Sequence, residues 1–385
     1  MKKAISIMLV VLMVFGLAAC NGKKDPDPET KETIKIAVID AFTGDKAVNG
    51  QYSKEGIELA LAEINEKGVL GRQVELIYED GQGKETETTN AFQKVTAEHK
   101  LDAVILDKYS SDVLAVEQFV AENGLPTFCQ GSSIKIEGSS TKNLYSTRRS
   151  DAGAGGSVVA FIKEQGVKKV AILHSPDALG QSMGKVVVDG LAKIGVEVVS
   201  DQQFANEDQN FTNYIAKVLA SGCDCFVAIA QTSHSAQIMI AAQEAGLSQG
   251  DNAILCIGNS AFVQQSSIQN ALEASNNWYA CTAFSPTISL EPTASWIKKY
   301  NDTYGRLPDM TSACMYDSLK MLAYAMEQAG STDPEKVNAA IQAITDFKGV
   351  VASYGYQGNP MMSKAEYVCH IEDQKSIVKQ IVYAE

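Results

Sequence analysis

The chain has 385 residues, 45% hydrophobic and 21% charged, a composition that can build buried cores and is not that of a disordered protein. Asp and Glu outnumber Lys and Arg by 46 to 33, and the net charge of −13 argues against a nucleic-acid binder and against a polybasic membrane-surface protein. Four His are too few and too scattered for a His-built metal centre, and no internal apolar run reaches the roughly 20 residues that span a bilayer.

Lys2 and Lys3 precede an uncharged apolar run from Ala4 to Leu17, which closes on Ala18, Ala19 and Cys20. A short apolar segment ending in small residues reads as a secretory signal, here residues 1–19. Leu17-Ala18-Ala19-Cys20 resembles the bacterial lipobox, in which the Cys becomes the lipidated first residue, so Cys20 is the expected anchor. Residues 20–33 hold Lys, Asp, Glu, Pro26 and Pro28 and almost nothing apolar, the composition of a solvated tether. The remaining cysteines, Cys129, Cys223, Cys225, Cys256, Cys281, Cys314 and Cys369, are odd in number and sit mostly in apolar runs, where they act as small hydrophobes.

Beyond the tether, strand and helix patterns alternate. Ile34–Ile39, Val74–Tyr78, Ala103–Leu106 and Pro126–Cys129 read as strands. Between them fall a helix capped by Ser53 and stopped by Gly68, one over 86–98, and one capped by Ser111 or Asp112 with Val113, Val116 and Val120 on one face. The pattern then restarts with helices over 157–165, 183–194, 211–220 and 236–245, and strands over 170–173, 196–199, 226–230 and 254–257. Two such arrays predict an α/β protein with two doubly wound, Rossmann-like lobes, each a parallel sheet covered on both faces. Ligands of such sheets bind at the carboxyl ends of the strands, so the cleft between the lobes is the expected site. The tail carries helical patterns over 296–304, 312–328 and 334–344, then strand-like stretches over 349–354 and 366–371.

The opening IKIAVIDAFTG, the following NG, and GIELALAEINEKGVLGRQVELIYED resemble the type I periplasmic solute-binding proteins, in the Leu/Ile/Val-binding branch that serves ABC transporters. The resemblance continues in Ser110-Ser111, Gly131-Ser132-Ser133, Arg149-Ser150-Asp151, Tyr316-Asp317 and Phe347-Lys348-Gly349, and spans residues 34–385. It implies two lobes joined by three crossovers: 34–150 plus 284–363, and 151–283 plus 364–385. It also implies closure by hinge motion.

The candidate ligand-binding residues are Tyr109, Ser110, Ser111, Ser132, Ser133, Leu179, Gln231 and Asn259. Ser110 and Ser111 follow a strand and open a helix, whose free N–H groups favour an anion such as a carboxylate; either serine can instead cap that helix. The resemblance aligns Ser110 with the family's carboxylate-binding serine, and Ser132 and Ser133 with a ligand-binding turn. Leu179, Gln231 and Asn259 match the family's contacts from the second lobe. The family often carries an aromatic at the Leu179 position and an acid near Asn259 that holds the ligand's ammonium. An ammonium enclosed without an acid is costly. Either Asp40, Asp107 or Asp177 serves instead, or the ligand is not a simple α-amino acid.

Enzyme motifs fail on context. Gly180-Gln181-Ser182-Met183-Gly184 has the nucleophile-elbow spacing, but Ser182 does not directly follow a strand. Gly153-Ala154-Gly155-Gly156 follows Arg-Ser-Asp rather than a strand, and Val158 stands where a dinucleotide loop needs Gly. The expectation is therefore a monomeric, lipid-anchored, extracytoplasmic binding protein. It needs no metal or cofactor and delivers a small amino-acid-like solute to an ABC permease. The alternative is a sensor that presents its closed form to a receptor.

Overall fold

The computed structural model describes residues 32–251, 253–363 and 365–383; the signal segment, Cys20 and nearly all of the expected tether lie outside them. The chain first alternates β1 (Ile34–Asp40), α1 (Ala47–Asn65), β2 (Val74–Asp80), α2 (Glu85–Glu98), β3 (Ala103–Leu106), α3 (Ser110–Asn123), β4 (Thr127–Cys129), α4 (Ile134–Glu137) and β5 (Leu144–Ser146). These strands form a five-stranded, wholly parallel sheet in the order β2-β1-β3-β4-β5.

A second array follows: α5 (Asp151–Glu164), β6 (Lys169–His174), α6 (Ala178–Lys193), β7 (Glu197–Gln203), α7 (Thr212–Ala220), β8 (Cys225–Ile229), α8 (Thr232–Glu244), β9 (Leu255–Gly258), α9 (Gln265–Ala271) and β10 (Trp278–Thr282). The chain then leaves this array for α10 (Thr293–Tyr304), α11 (Met310–Ala329), α12 (Pro334–Gln342) and the short pair β11 (Phe347–Lys348) and β12 (Ser353–Tyr354). It returns with β13 (Ala365–Glu372) and β14 (Lys375–Tyr383), giving a seven-stranded sheet in the order β14-β13-β10-β9-β8-β6-β7. β13 and β14 join antiparallel through Asp373 and Gln374, whose φ values of 48° and 58° suit a tight hairpin turn.

Period-two burial explains why each sheet is covered on both faces. Ile36 and Val38 of β1 share a core with Ile57 and Ala60 of α1 and Leu319 and Leu322 of α11. Ala37 and Ile39 point the other way, toward Phe92 and Val95 of α2 and Val113, Val116 and Val120 of α3. In the second sheet Val170 and Ile172 of β6 join Val158 and Ile162 of α5 and Met183, Val187 and Leu191 of α6. The α1–α11 contact is close enough that a Cβ on Gly56 would lie 2.0 Å from the Ser312 carbonyl oxygen.

Several boundaries differ from the sequence expectation. α1 starts at Ala47, six residues before Ser53, and no side chain caps it. α3 starts at Ser110 with Tyr109 in the cap position, so neither Ser111 nor Asp112 caps it. α5 and α6 begin earlier than expected because Ser150 accepts from Gly153 N–H and Asp177 accepts from Gly180 N–H. Residues 349–354 do not form one strand; only Ser353 and Tyr354 pair, with Lys348 and Phe347. β5, β10 and β14 carried no sequence expectation. The seven described cysteines are free, and only Cys223 is less than buried.

Candidate functional site

Both sheets reverse strand order in a way that opens a crevice at their carboxyl ends: β1 and β3 flank one switch point, β6 and β8 the other. The segments leaving these ends are Asp107–Ser110 after β3, Gln130–Ser133 after β4, Thr147–Arg148 after β5, Ser175–Asp177 after β6, Gln231 after β8 and Asn259–Ser260 after β9. Those after β3, β6 and β8 meet in a cleft of about 1120 Å³, lined by Tyr109, Ser110 and Ser111 from one side and Asp177, Gln231 and Thr232 from the other. A smaller cavity of about 10 Å³ shares Ser110 and Gln231 with it and adds Lys108, Ser132, Arg148, Leu179, Asn259, Ser260 and Gln264.

Hydrogen bonds cross the cleft. Ala178 N–H donates to Ser111 Oγ at 3.3 Å and Ile134 N–H to Ser182 Oγ at 3.0 Å. Lys108 Nζ donates to Thr232 Oγ1 at 3.0 Å and Gln264 Oε1 at 3.3 Å, and Arg148 Nη2 donates to Ser260 Oγ at 3.2 Å. The two halves thus stand closed on each other.

The expected site residues divide by role. Ser110 Oγ accepts from Ser132 N–H (3.1 Å) and Ser133 N–H (3.2 Å), tying the ends of β3 and β4 together. Ser132 Oγ is buried without a hydrogen-bond partner and lines the smaller cavity. Ser133 lines neither cavity; its Oγ accepts from Lys135 N–H and caps α4. Ser111 binds across the cleft. Tyr109 lines the large cleft, with its OH accepting from Asn49 Nδ2 at 2.8 Å and Lys46 Nζ 3.9 Å from its ring centroid. Leu179 lines the smaller cavity as an apolar wall. Gln231 Nε2 donates to Asp177 Oδ2 at 2.7 Å, and Asn259 Oδ1 accepts from Ala230 N–H at 3.1 Å.

The acids considered as ammonium partners sit elsewhere. Asp40 and Asp107 line neither cavity. Burial pushes Asp40 up to about 6 and holds Asp107 well above the usual carboxylate range, with neighbouring Asp112 and Asp40 adding to the latter. Asp177 reaches the large cleft, but its oxygens already accept from Gly180 N–H, Ser175 Oγ and Gln231 Nε2.

Lys108 and Arg148 were absent from the sequence-derived site. Each is under a tenth exposed and lines the smaller cavity, and neither forms an ion pair among the described residues. The one available signal was position: each falls within two residues of a strand's carboxyl end. Burial pushes the Lys108 ammonium down to about 8, against the more distant pull of Asp309 and Asp40. Ser182 lies within α6 and its Oγ holds Ile134 N–H, while His174 Nδ1 is engaged with its neighbour Ser175's carbonyl; no nucleophile elbow forms.

Two α/β lobes closing strand-end polar groups over one cleft define a solute-binding protein. The periplasmic binding protein family model matches residues 33–366, and the chain belongs to that family, whose members bind substrates for transporters and are not enzymes. A Leu/Ile/Val-binding protein homolog 2 of Brucella abortus is 27% identical over 343 residues, covering 86% of this chain and 88% of the relative. Leucine binding protein LivK of Thermotoga maritima superposes with a TM-score of 0.85 at 23% identity, over 91% of this chain and 99% of that one. A solute binding protein of Rhodopseudomonas palustris BisB5, solved in complex with 3,4-dihydroxy benzoic acid, gives 0.84 at 18% identity, over 91% and 98%. Among the described residues no helix is long and apolar enough to cross a membrane.

Proposed function

We propose that this protein is the lipid-anchored, extracytoplasmic receptor of an ABC importer, capturing a small polar solute of the amino-acid or carboxylic-acid kind. The lobes 34–150 plus 284–363 and 151–283 plus 364–385 act as the closing bodies. The solute enters between Ser110 and Ser132 on one side and Leu179, Gln231 and Asn259 on the other. Cys20 carries the lipid, the tether holds the monomeric body outside the membrane, and a permease receives the closed form. The ligands named for the Leu/Ile/Val-binding relative and for the dihydroxybenzoate-bound neighbour support a small carboxylate-bearing solute.

The observation that carries this reading is the set of hydrogen bonds across the cleft: Ala178 N–H donates to Ser111, Lys108 to Thr232 and Arg148 to Ser260. They form only when the strand-end edges face each other, so a ligand that bridges the same edges favours closure. A thermal-shift screen of the full chain in detergent, over amino acids, carboxylates, amides, nucleosides and sugars, tests it. A ligand at 100 times its Kd should add about 2.7 kcal/mol of stability. A rise with one solute class supports capture, and a flat response to every class opposes it.

A further inference from the structure

Lys108 and Arg148 reach the smaller cavity from the ends of β3 and β5 in the first sheet, with β4 between them, and both are buried. Lys108 donates to three neutral acceptors, Asn49 Oδ1, Thr232 Oγ1 and Gln264 Oε1, at 3.2, 3.0 and 3.3 Å. Those bonds satisfy its protons with neutral groups, and the nearest acids, Asp309 and Asp40, act on it only at longer range without a direct ion pair. Among the described residues the Arg148 side chain makes a single hydrogen bond, to Ser260, from a fork of five N–H donors. No carboxylate lines this cavity. Two buried cations without an ion-pair partner are costly, since a buried charge is stable only when paired. The groups facing them from the other lobe, Gln231 and Asn259, are neutral amides. An ammonium group there would meet two cationic heads in direct contact, while the nearest acids, Asp309, Asp40, Asp151 and Glu366, stand behind the lining and do not line the cavity. A carboxylate would meet a guanidinium fork of matching geometry, an ammonium, and the Ser132 hydroxyl, which lies beside buried Asp151.

We infer that the solute is a small organic dianion, a dicarboxylate without an ammonium group, held between Lys108 and Arg148. This rests on the solute-binding reading of the same cleft and names its ligand class. One carboxylate takes the Arg148 fork and the Ser132 hydroxyl. The other replaces neutral acceptors at Lys108. Gln231 and Asn259 close over the ligand and add no charge.

The test is titration calorimetry on the full chain in detergent, after exhaustive dialysis, with succinate, glutarate, benzoate, inorganic phosphate and L-isoleucine as probes. The result expected is tightest binding by succinate or glutarate, with L-isoleucine at least tenfold weaker. Lys108→Met and Arg148→Met each lower the dicarboxylate affinity about 10- to 100-fold, the worth of a charge-assisted bond. Arg148→Lys keeps the charge and recovers part of the loss. The unliganded Lys108→Met protein melts at the same or a higher temperature, because a buried cation without a direct ion-pair partner has gone; a merely structural lysine would lower it. Tightest binding by L-isoleucine, by benzoate or by phosphate overturns the dianion assignment and leaves solute capture standing. Unchanged affinity in both Met variants also overturns it. If none of the probes binds, the dianion assignment fails; mass spectrometry of the chain as purified then shows whether capture fails too, by the presence or absence of a carried small molecule.

Discussion

The two edges of the cleft are built from different chemistry. The first sheet ends in charge: Asp40 as the last residue of β1, Asp107 and Lys108 after β3, Arg148 after β5, all buried. The second sheet ends in neutral hydroxyls and amides: Gln231 and Thr232 after β8, Asn259 and Ser260 after β9, with Asp177 already bound by its own helix and by Gln231. The contrast assigns labour. Neutral groups leave water at modest cost, so the second edge suits repeated exposure and burial. Charged groups are expensive to desolvate and therefore belong on the side that holds them permanently, fixed by the first lobe's core. On the proposed reading, the first edge supplies affinity for an anion, and the second supplies the difference between open and closed.

Several substitutions would break or sharpen that comparison. The largest effect is expected behind the first edge, at Asp317, whose carboxylate accepts from Val350 N–H, Val351 N–H and Tyr354 OH at 2.8, 2.9 and 2.8 Å. A Cβ on Gly349 would lie 2.4 Å from Asp317 Oδ2, so the loop sits directly on the acid. Asp317→Ala leaves three buried donors without an acceptor and should cost about 3 kcal/mol or more in urea unfolding. A loss below about 1 kcal/mol would show that the first lobe does not depend on that acid.

At the cleft itself, Arg148→Ala should weaken dicarboxylate binding about 100-fold by calorimetry, and Asn259→Ala on the opposite edge no more than about tenfold. Equal losses would erase the distinction between the edges.

The pH dependence of stability follows from the first edge as well. Burial raises Asp40 to about 6 and, nearby, Asp112 to about 6. A carboxyl whose folded pKa is raised binds its proton more tightly folded than unfolded, so its contribution is present below the unfolded value near 4 and is lost as pH rises through about 6. Stability should therefore fall between about pH 4 and 6.5 from these groups, and Asp40→Asn should flatten part of that slope in a series of urea titrations. A slope unaltered by Asp40→Asn would place the titration elsewhere.

Ser182→Ala removes the acceptor for Ile134 N–H across the cleft. The expected cost is about 1 kcal/mol of closure, near fivefold in affinity, with global stability almost unchanged.

The repeating strand–helix order was legible because the central strands are buried on both faces and the helices covering them show apolar stripes, as in β1 with α1 and α2. The missed strands had no such signature. β5 is three residues long, and β14, Lys375–Tyr383, mixes charge into its run. The early starts of α5 and α6 were hidden because Gly153, Gly155 and Gly180 disguise a first turn that only the caps at Ser150 and Asp177 reveal. In the site, the sequence pointed to Ser110, Ser132, Leu179, Gln231 and Asn259, all of which line the smaller cavity. Ser133 caps α4 because that turn needs an acceptor more than the cleft does. Lys108 and Arg148 were passed over because a lone cation at a strand end ordinarily faces water. Their burial is set by the other lobe lying over them, which no local pattern encodes.

Closure of the neutral edge onto the charged edge is the central claim, and hydrogen exchange measured by mass spectrometry reads it most directly. Ile134 N–H and Ala178 N–H bond across the cleft, to Ser182 and Ser111. On the full chain in detergent, a saturating solute should slow exchange in peptides covering 132–136 and 176–182, while peptides in the core of α11 stay as they were. Saturation by a tightly bound solute with no added protection in either cleft peptide would contradict closure.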